Sequence, residues 1–395
     1  MKNFFNAIGV ADMERVHSAM IAWILDDEND NTLSSTNPSQ FTTFSKNERS
    51  CLLCELFGVD KKEFQSIKTH VEWYDIDVMI ETEDYKDCHE VWVIENKLKS
   101  QEHKSNEKDA TTGEVKSVWQ TEKYKKIIQN YFPDSKFNKH YMLLSLGGDK
   151  AKSSGWSSFT YKRLLESLKN VFDLNEHILI NEYVCSVDKM MQELDDFLSP
   201  KTKLDYTHVF NKLKKSKIGS YKLEEHERYI IENGLETIFQ KCFLAEMWKN
   251  YITKQYIFYD KDWSISETNG TALLDIRLGE IKLKSGDTHH VQIEFQNGTF
   301  KIQFYQINER KEKFLKKWEK IFNGGKSYKD KNNETWKVNY PKPNSNRSYI
   351  SISKKIDNNW WEKDRGNILE QWKKNLQKCK NALDQIIEDF KNQNN

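Results

Sequence analysis

Two strings decide how this chain is read: Tyr74-Asp75-Ile76-Asp77-Val78 and Ile94-Glu95-Asn96-Lys97. Both have β character, and the polar turn EDYKDCH (83–89) lies between them, so residues 75–98 read as one β-hairpin. With the turn centred on Lys86, Asp77 faces Glu95, Met79 faces Val93 and Glu81 faces Val91. On the other face Val78 meets Ile94 and Ile80 meets Trp92. Opposed residues hold their Cβ atoms ~4.5–5.5 Å apart, so two carboxylates stand side by side. Lys97 comes two residues after Glu95 and projects to the same face. The lysine relieves part of the repulsion, and a hard divalent cation, Mg²⁺ or Mn²⁺, relieves more. Phosphodiester hydrolysis uses such a cation with an amine beside it. The same residues also suit a salt-bridge ladder on a solvent face. A register slip of one residue would leave only that ladder.

Working outward, residues 10–25 carry Val16, Met20, Ile21 and Ile24 at helical spacing. Residues 28–47 are polar and read as loop; 47–58 return to helix, with Gly58 as C-cap. Strands follow at about 65–73, 75–83 and 89–98, then a polar loop over 99–117. A helix spans 118–132 and stops at Pro133, and a buried strand covers 140–146. Helices near 159–171 and 187–198 flank a short strand near 178–186. The expected class is α/β, a mixed central sheet flanked by helices. Pro200 marks a boundary, giving domains 1–200 and 201–395. The second begins with a helix or helix pair across 205–249. The segments YIFYD, TALLDIRLG, HVQIEFQNG and TFKIQFYQI then suggest an antiparallel meander, so this domain reads as α+β. Helices at 308–322 and 361–391 complete it.

The 395 residues include 61 Lys plus Arg and 60 Asp plus Glu, so any basic surface for nucleic acid must be local. Charged residues make up 31% and aromatics 13%, a foldable composition. No apolar run approaches the ~20 residues of a membrane helix. Scattered cysteines, six in all, fit free thiols and a cytoplasmic location.

The string DID…IENKLKSQEH…QTEKY resembles the PD-(D/E)xK nuclease superfamily, in particular its RecB-like branch, over residues 10–150. That resemblance implies a restriction-endonuclease-like core. It implies Asp77 and Glu95 as metal ligands, Asn96 joining through its carbonyl, and Lys97 as the catalytic lysine. Gln120 and Tyr124 match the Q-x-x-x-Y signature of the branch; four apart on one helix face, they meet substrate backbone or brace the site. Glu14 matches a helical Glu that approaches the metal from the first helix, and His17 shares its face. The name-giving Pro is absent, since Ile76 precedes Asp77, and Asp75 is an alternative ligand should the register differ. The implied activity is a Mg²⁺- or Mn²⁺-dependent nuclease, DNA favoured, in bacterial or phage DNA processing or defence. A homodimer would suit double-strand cleavage. The alternative is a non-catalytic nucleic-acid-binding or protein-interaction module on the same fold.

Other signals are weaker. Cys51-x-x-Cys54 lies among leucines and reads as a buried helix. Gly324-Gly325-Lys326-Ser327 lacks the first glycine of a phosphate loop, so ATP is not expected. His289-His290 reads as exposed. In the Lys-rich segment 308–322, Lys313, Lys316 and Lys317 are candidates for phosphate-backbone contact. Residues 341–355 read as a binding loop or an edge strand.

Overall fold

A computed structural model describes residues 13–27, 44–98, 102, 104–108, 115–147, 150–199, 204–210, 221–251, 262–268, 270–282, 288–306, 311–341, 349–356 and 365–393. They fall into two compact units: Met1–Asp195 with Glu232–Leu235, and Asp196–Ile231 with Glu236–Asn395. Among the described residues no helix is long and apolar enough to cross a membrane.

In the first unit, helix α1 (Glu14–Leu25) buries His17, Ser18, Ile21, Ala22, Ile24 and Leu25, a stripe at helical period. Helix α2 (Lys46–Phe57) starts at a capping box between Ser45 and Glu48. It ends at Gly58, whose φ of 66° lets its N–H reach back to Cys54 and Glu55. Strands β1 (Phe64–Trp73), β2 (Ile76–Asp84) and β3 (His89–Lys97) form an antiparallel meander. Strands β4 (Lys104–Lys108) and β5 (Val115–Trp119) make a separate two-stranded ribbon. Helix α3 (Gln120–Tyr131) then crosses to β6 (Phe137–Ser145), parallel to β3, and β7 (Ser157–Thr160) pairs parallel to β6. Helices α4 (Tyr161–Val171) and α5 (Ile178–Leu198) follow. The mixed sheet has the order β1-β2-β3-β6-β7. Tyr124, Ile128 and Phe132 pack on Ile76, Met79, Val91, Val93 and Tyr141, so α3 covers the face that bears Met79 and Val93. Helix α1 packs on β1, β2 and β3 from the other face.

Two expectations fail here. Residues 99–117 are not all loop, because 104–108 and 115–119 pair as a ribbon. Strand β4 (KSNEK) is wholly polar and β5 (VKSVW) places its apolar residues at its first, fourth and fifth positions, so no apolar alternation announced them; the ladder satisfies the backbone instead. Residues 178–186 belong to α5 and are not a strand. Ile180, Tyr183, Val184, Val187, Met190, Met191 and Leu194 are all buried, a helical period that a nine-residue β-branched window hides. The strand β7 takes the sheet position instead.

The second unit holds α6 (Thr207–Phe210), α7 (Glu225–Glu232) and α8 (Glu236–Tyr251). Next come β8 (Trp263–Thr268), β9 (Thr271–Lys282), β10 (Thr288–Gln296), β11 (Thr299–Gln306) and α9 (Lys311–Ile321). Strands β12 (Ser327–Lys329), β13 (Thr335–Asn339) and β14 (Tyr349–Lys355) precede α10 (Arg365–Gln393). The antiparallel sheet runs β12-β13-β14-β11-β10-β9-β8. Its apolar face carries Phe295, Phe300 and Phe304, against Trp372 and Trp318 of the helices. Strand β14 lies inside the sheet, so 349–355 is not an edge strand. His289 is buried among Phe314, Trp318 and Phe390, contrary to the exposed reading; only His290 is exposed. The turn before β10 invited the exposed reading, while the strand's alternation directs His289 to the helix face. The segment YIFYD and loop residues 28–43 lie outside the described residues.

Candidate active site

The β2–β3 pairing joins Val78 to Ile94, Met79 to Val93, Ile80 to Trp92 and Glu81 to Val91, the register expected from the alternation. Asp77 and Glu95 stand one step beyond the last of these pairs. Glu95 and Lys97 alternate in phase with Val91 and Val93, on the α3 face, while Asn96 is on the α1 face. Glu95 is fully buried and Lys97 is 7% exposed. The Lys97 Nζ lies 2.6 Å from Glu95 Oε1. This is an ion-pair contact without hydrogen-bond angles: among the described residues neither Glu95 oxygen has a partner of regular geometry. The Asn96 amide donates to Asp77 Oδ2 at 2.7 Å, which ties the two strands together beyond their ladder.

The charges in this pocket are strained. Burial and then the Asp77 charge push the Glu95 carboxyl up to about 8, against the pull of Lys97. Asp77 is also raised, by burial first and by Glu14, although the Asn96 amide and Lys97 hold it down. Burial draws Lys97 downward, yet Glu95, Asp77 and Glu14 outweigh it and the ammonium is held above its ordinary value. The pocket therefore has too few positive charges for its carboxylates. A buried acid with no regular hydrogen-bond donor and a half-buried acid beside it fit a hard divalent cation that takes one or two protein carboxylates and completes its shell with water and substrate oxygens. The donor set is open: among the described residues no three His, Cys, Asp or Glu side chains converge as a closed cage.

This charge balance has a measurable sign. An unfolded Glu titrates near ~4.3. Between that value and about 8 the folded chain keeps a proton that the unfolded chain has lost, so metal-free stability falls as pH rises through this window. A bound cation must displace the proton. The apparent Mg²⁺ affinity, read from the Mg²⁺-induced rise in Tm, is expected to increase about tenfold per pH unit below about 8 and to level above it. A Tm rise independent of pH would show that this pair is not the ligand.

The turn before Asp77 is costly and braced. Glu72, Tyr74 and Asp75 have φ of 56°, 50° and 66°, left-handed values that each cost a non-glycine residue of order 1 kcal/mol. Tyr124 Oη donates to the Asp75 carbonyl at 2.5 Å, and Gln120 Nε2 donates to Tyr124 Oη at 2.7 Å. Lys123 pairs with the Asp75 side chain at 3.0 Å and Arg15 with Glu72 at 3.1 Å. Of the two readings open for Gln120 and Tyr124, the bracing one fits these contacts. Tyr124 is 1% exposed and its hydroxyl is committed to the turn, so direct substrate contact by its ring is not supported. Asp75 is held in the exposed turn by Lys123, which leaves Asp77 as the carboxylate beside Glu95.

The α1 face holds a network that sequence reasoning missed. Asn96 Nδ2 donates to the Glu14 carbonyl at 3.0 Å and to Ser18 Oγ at 3.1 Å. Tyr161 Oη donates to Asn96 Oδ1 at 2.7 Å. Burial pushes the Tyr161 hydroxyl well above its ordinary value, so it stays a donor. His17 stacks edge-on to Tyr161 and its Nδ1 contacts Tyr183 Oη at 2.9 Å, which makes it a packed imidazole. Glu14 contributes a charge felt at Asp77 and Lys97. Glu102 was also missed. It accepts from Thr121 N, Thr121 Oγ1 and Lys152 N. A lone Glu in a polar stretch carries no pattern that announces three such bonds.

In the second unit, α9 buries Phe314, Trp318 and Ile321, with Lys313 and Lys316 exposed and Lys317 half-buried. Lys316 lines a shallow surface depression with Glu319, Lys320 and Asn323. All six cysteines are free, and Cys54 is buried in α2.

A family model described as the PD-(D/E)XK nuclease superfamily matches residues 2–185. The match spans the whole five-stranded sheet, the Asp77–Glu95–Lys97 pocket and the start of α5. No curated protein and no solved structure matches the chain.

Proposed function

We propose that this chain is a nuclease that hydrolyses phosphodiester bonds with a divalent cation, Mg²⁺ or Mn²⁺, held by Asp77, Glu95 and the Asn96 carbonyl, with Glu14 nearby. The observation that carries this reading is the buried Glu95: its oxygens lack regular donors, Asp77 stands beside it, and Lys97 is 2.6 Å away. The match of residues 2–185 to a nuclease superfamily supports the same reading. When bound, the cation would supply Lewis-acid stabilisation and an activated water. Lys97 is the catalytic residue of the chain itself. Glu95, Asp77 and Glu14 hold its proton on, so it acts as a fixed cation and donor toward a phosphoryl oxygen or the attacking water. Tyr124 and Gln120 fix the turn that carries Asp77, and Asn96 fixes both sides of β3.

DNA is the favoured substrate and the RecB-like branch the favoured kinship, on the Gln120-x-x-x-Tyr124 pattern. A role in bacterial or phage DNA processing or defence goes with that kinship, and a dimer would suit cutting both strands. Residues 201–395 are read as an accessory recognition domain. Lys313, Lys316 and Lys317 are its candidate backbone contacts. Reversing these three charges is expected to weaken DNA binding and to flatten its salt dependence by up to ~0.9 per lost phosphate contact. An unchanged salt slope would make α9 a purely structural helix.

The test of the nuclease reading is cleavage of supercoiled plasmid, linear duplex, single-stranded DNA and RNA, each with Mg²⁺, Mn²⁺ or chelator. Cleavage that requires the cation is expected. Tight nucleic-acid binding without cleavage under any of these conditions would favour the non-catalytic alternative.

A further inference from the structure

The ribbon β4–β5 leaves the sheet directly after β3 and returns at the start of α3. Strands β3 and β6 run parallel, with Lys97 paired to Ser145 at their ends. The ribbon, the first turn of α3 and the loop after β6 therefore all stand at the end of the sheet that holds Glu95 and Lys97. There Lys104 is paired directly across the ribbon with Trp119. Its Nζ lies 4.9 Å from the centre of the Trp119 ring, and Lys152 Nζ, from the loop after β6, lies 5.7 Å from the same ring. Both lysines are exposed, and among the described residues neither has an acidic partner.

Their supports are fixed. Glu102 Oε1 accepts from Thr121 N at 3.1 Å and from Thr121 Oγ1 at 2.5 Å, and Glu102 Oε2 accepts from Lys152 N at 2.7 Å. Ser153 N donates to Thr121 Oγ1 at 3.2 Å, and Lys125 Nζ donates to the Ser154 carbonyl at 2.9 Å. Thr121 is fully buried. Three of these contacts staple the 152–154 segment to α3 and to Glu102, and the other two tie Glu102, which leads into the ribbon, to α3. The result is two ammonium groups gathered on one indole ring, beside a pocket crowded with carboxylates.

We infer that Lys104, Trp119 and Lys152 form a docking station for the phosphate backbone of a nucleic-acid strand whose scissile bond lies at Lys97. This rests on the nuclease reading above. A polyanion approaching Asp77 and Glu95 meets like charge, and the whole chain has a net charge of only +1, so local cations must offset it. Lys104 follows Lys97 by seven residues, which limits their separation to roughly 25 Å. That is inside one turn of a duplex, ~34 Å. The ring holds both ammonium groups in place by cation–π attraction, so less rotamer freedom is lost when phosphate binds. The contacts to phosphate position the strand and carry no sequence preference.

The test uses the full chain carrying Lys97→Ala to prevent turnover, with a fluorescein-labelled DNA duplex of roughly 20 base pairs and its single strand, read by anisotropy between about 50 and 300 mM salt. Lys104→Gln with Lys152→Gln is compared with Lys86→Gln, an exposed lysine in the β2–β3 turn at the opposite end of the sheet. The double variant is expected to bind roughly tenfold more weakly near 0.1 M salt, with the salt slope reduced by up to ~2. Lys86→Gln is expected to leave both unchanged, and the Mg²⁺-induced rise in Tm is expected to be the same in all three proteins. An unchanged slope in the double variant, or an equal loss in Lys86→Gln, overturns the station while leaving the nuclease reading intact. Absence of binding by the parent itself overturns the station, and the nuclease reading then stands or falls on the cleavage test, RNA included.

Discussion

Replacing Lys97 by alanine is expected to reduce divalent-dependent cleavage by roughly 10²–10³-fold or more, the scale for losing a preorganised charge in a water-poor site. Lys97 is 7% exposed and its ammonium is set against Glu95 at 2.6 Å. No other cation is placed in that contact among the described residues. The same substitution removes the positive charge that competes with a metal ion for Asp77 and Glu95. The Mg²⁺-induced rise in Tm is therefore expected to persist or to grow as cleavage disappears. Asp77→Ala should behave differently and lose both cleavage and most of the Mg²⁺ response, because it deletes a proposed ligand. This split separates a catalytic role from a ligand role without relying on activity alone. Wild-type cleavage by both variants would remove the site from this pocket, whatever the fold.

The second large effect is on stability. Asn96→Ala is expected to lower the free energy of unfolding of the first unit by about 3–4 kcal/mol, measured as a shift in denaturant midpoint at constant slope. Asn96 is fully buried and its side chain makes three hydrogen bonds, with the Glu14 carbonyl, Ser18 Oγ and Tyr161 Oη. Each is worth ~1 kcal/mol, and the partners left behind add desolvation penalties. Tyr161→Phe deletes only one of these bonds and should cost about 1–2 kcal/mol. The backbone amide of residue 96 still donates to Asp77 in both variants. Asn96→Ala should weaken the Mg²⁺ response more than Tyr161→Phe, since it unties α1, and with it Glu14, from β3. A midpoint within error of wild type for Asn96→Ala would show that the network adds nothing to stability.

The hairpin was legible because its signal is local. Alternation at period two, a polar turn and short spacing fix the register of 76–97, and register alone determines which side chains share a face. Gly58 and Pro133 marked helix ends for equally local reasons, since each constrains only its own backbone. The ribbon and α5 were misread where local signals fail. Neither KSNEK nor VKSVW alternates, and the nine-residue window 178–186, with Ile178, Ile180, Tyr183 and Val184, is shorter than the helical period needs to show itself.

The sequence by itself determined the chemistry on offer: two acids and a lysine on one strand pair, and Gln120 and Tyr124 one helical turn apart. It left open what those residues touch. Only the tertiary structure decided that Tyr124 is spent on the strained turn beside Asp77, that Asn96 ties the same strand to α1, and that Lys104 and Lys152 meet on Trp119. Each is a contact between segments far apart in the chain, set by how elements stack, and periodicity reports only the face on which a residue lies. The opposed carboxylates began as a repulsion inferred from register. Burial turned them into a pocket in which Glu95 is held up to about 8, because removal from water penalises its charge more than one lysine repays.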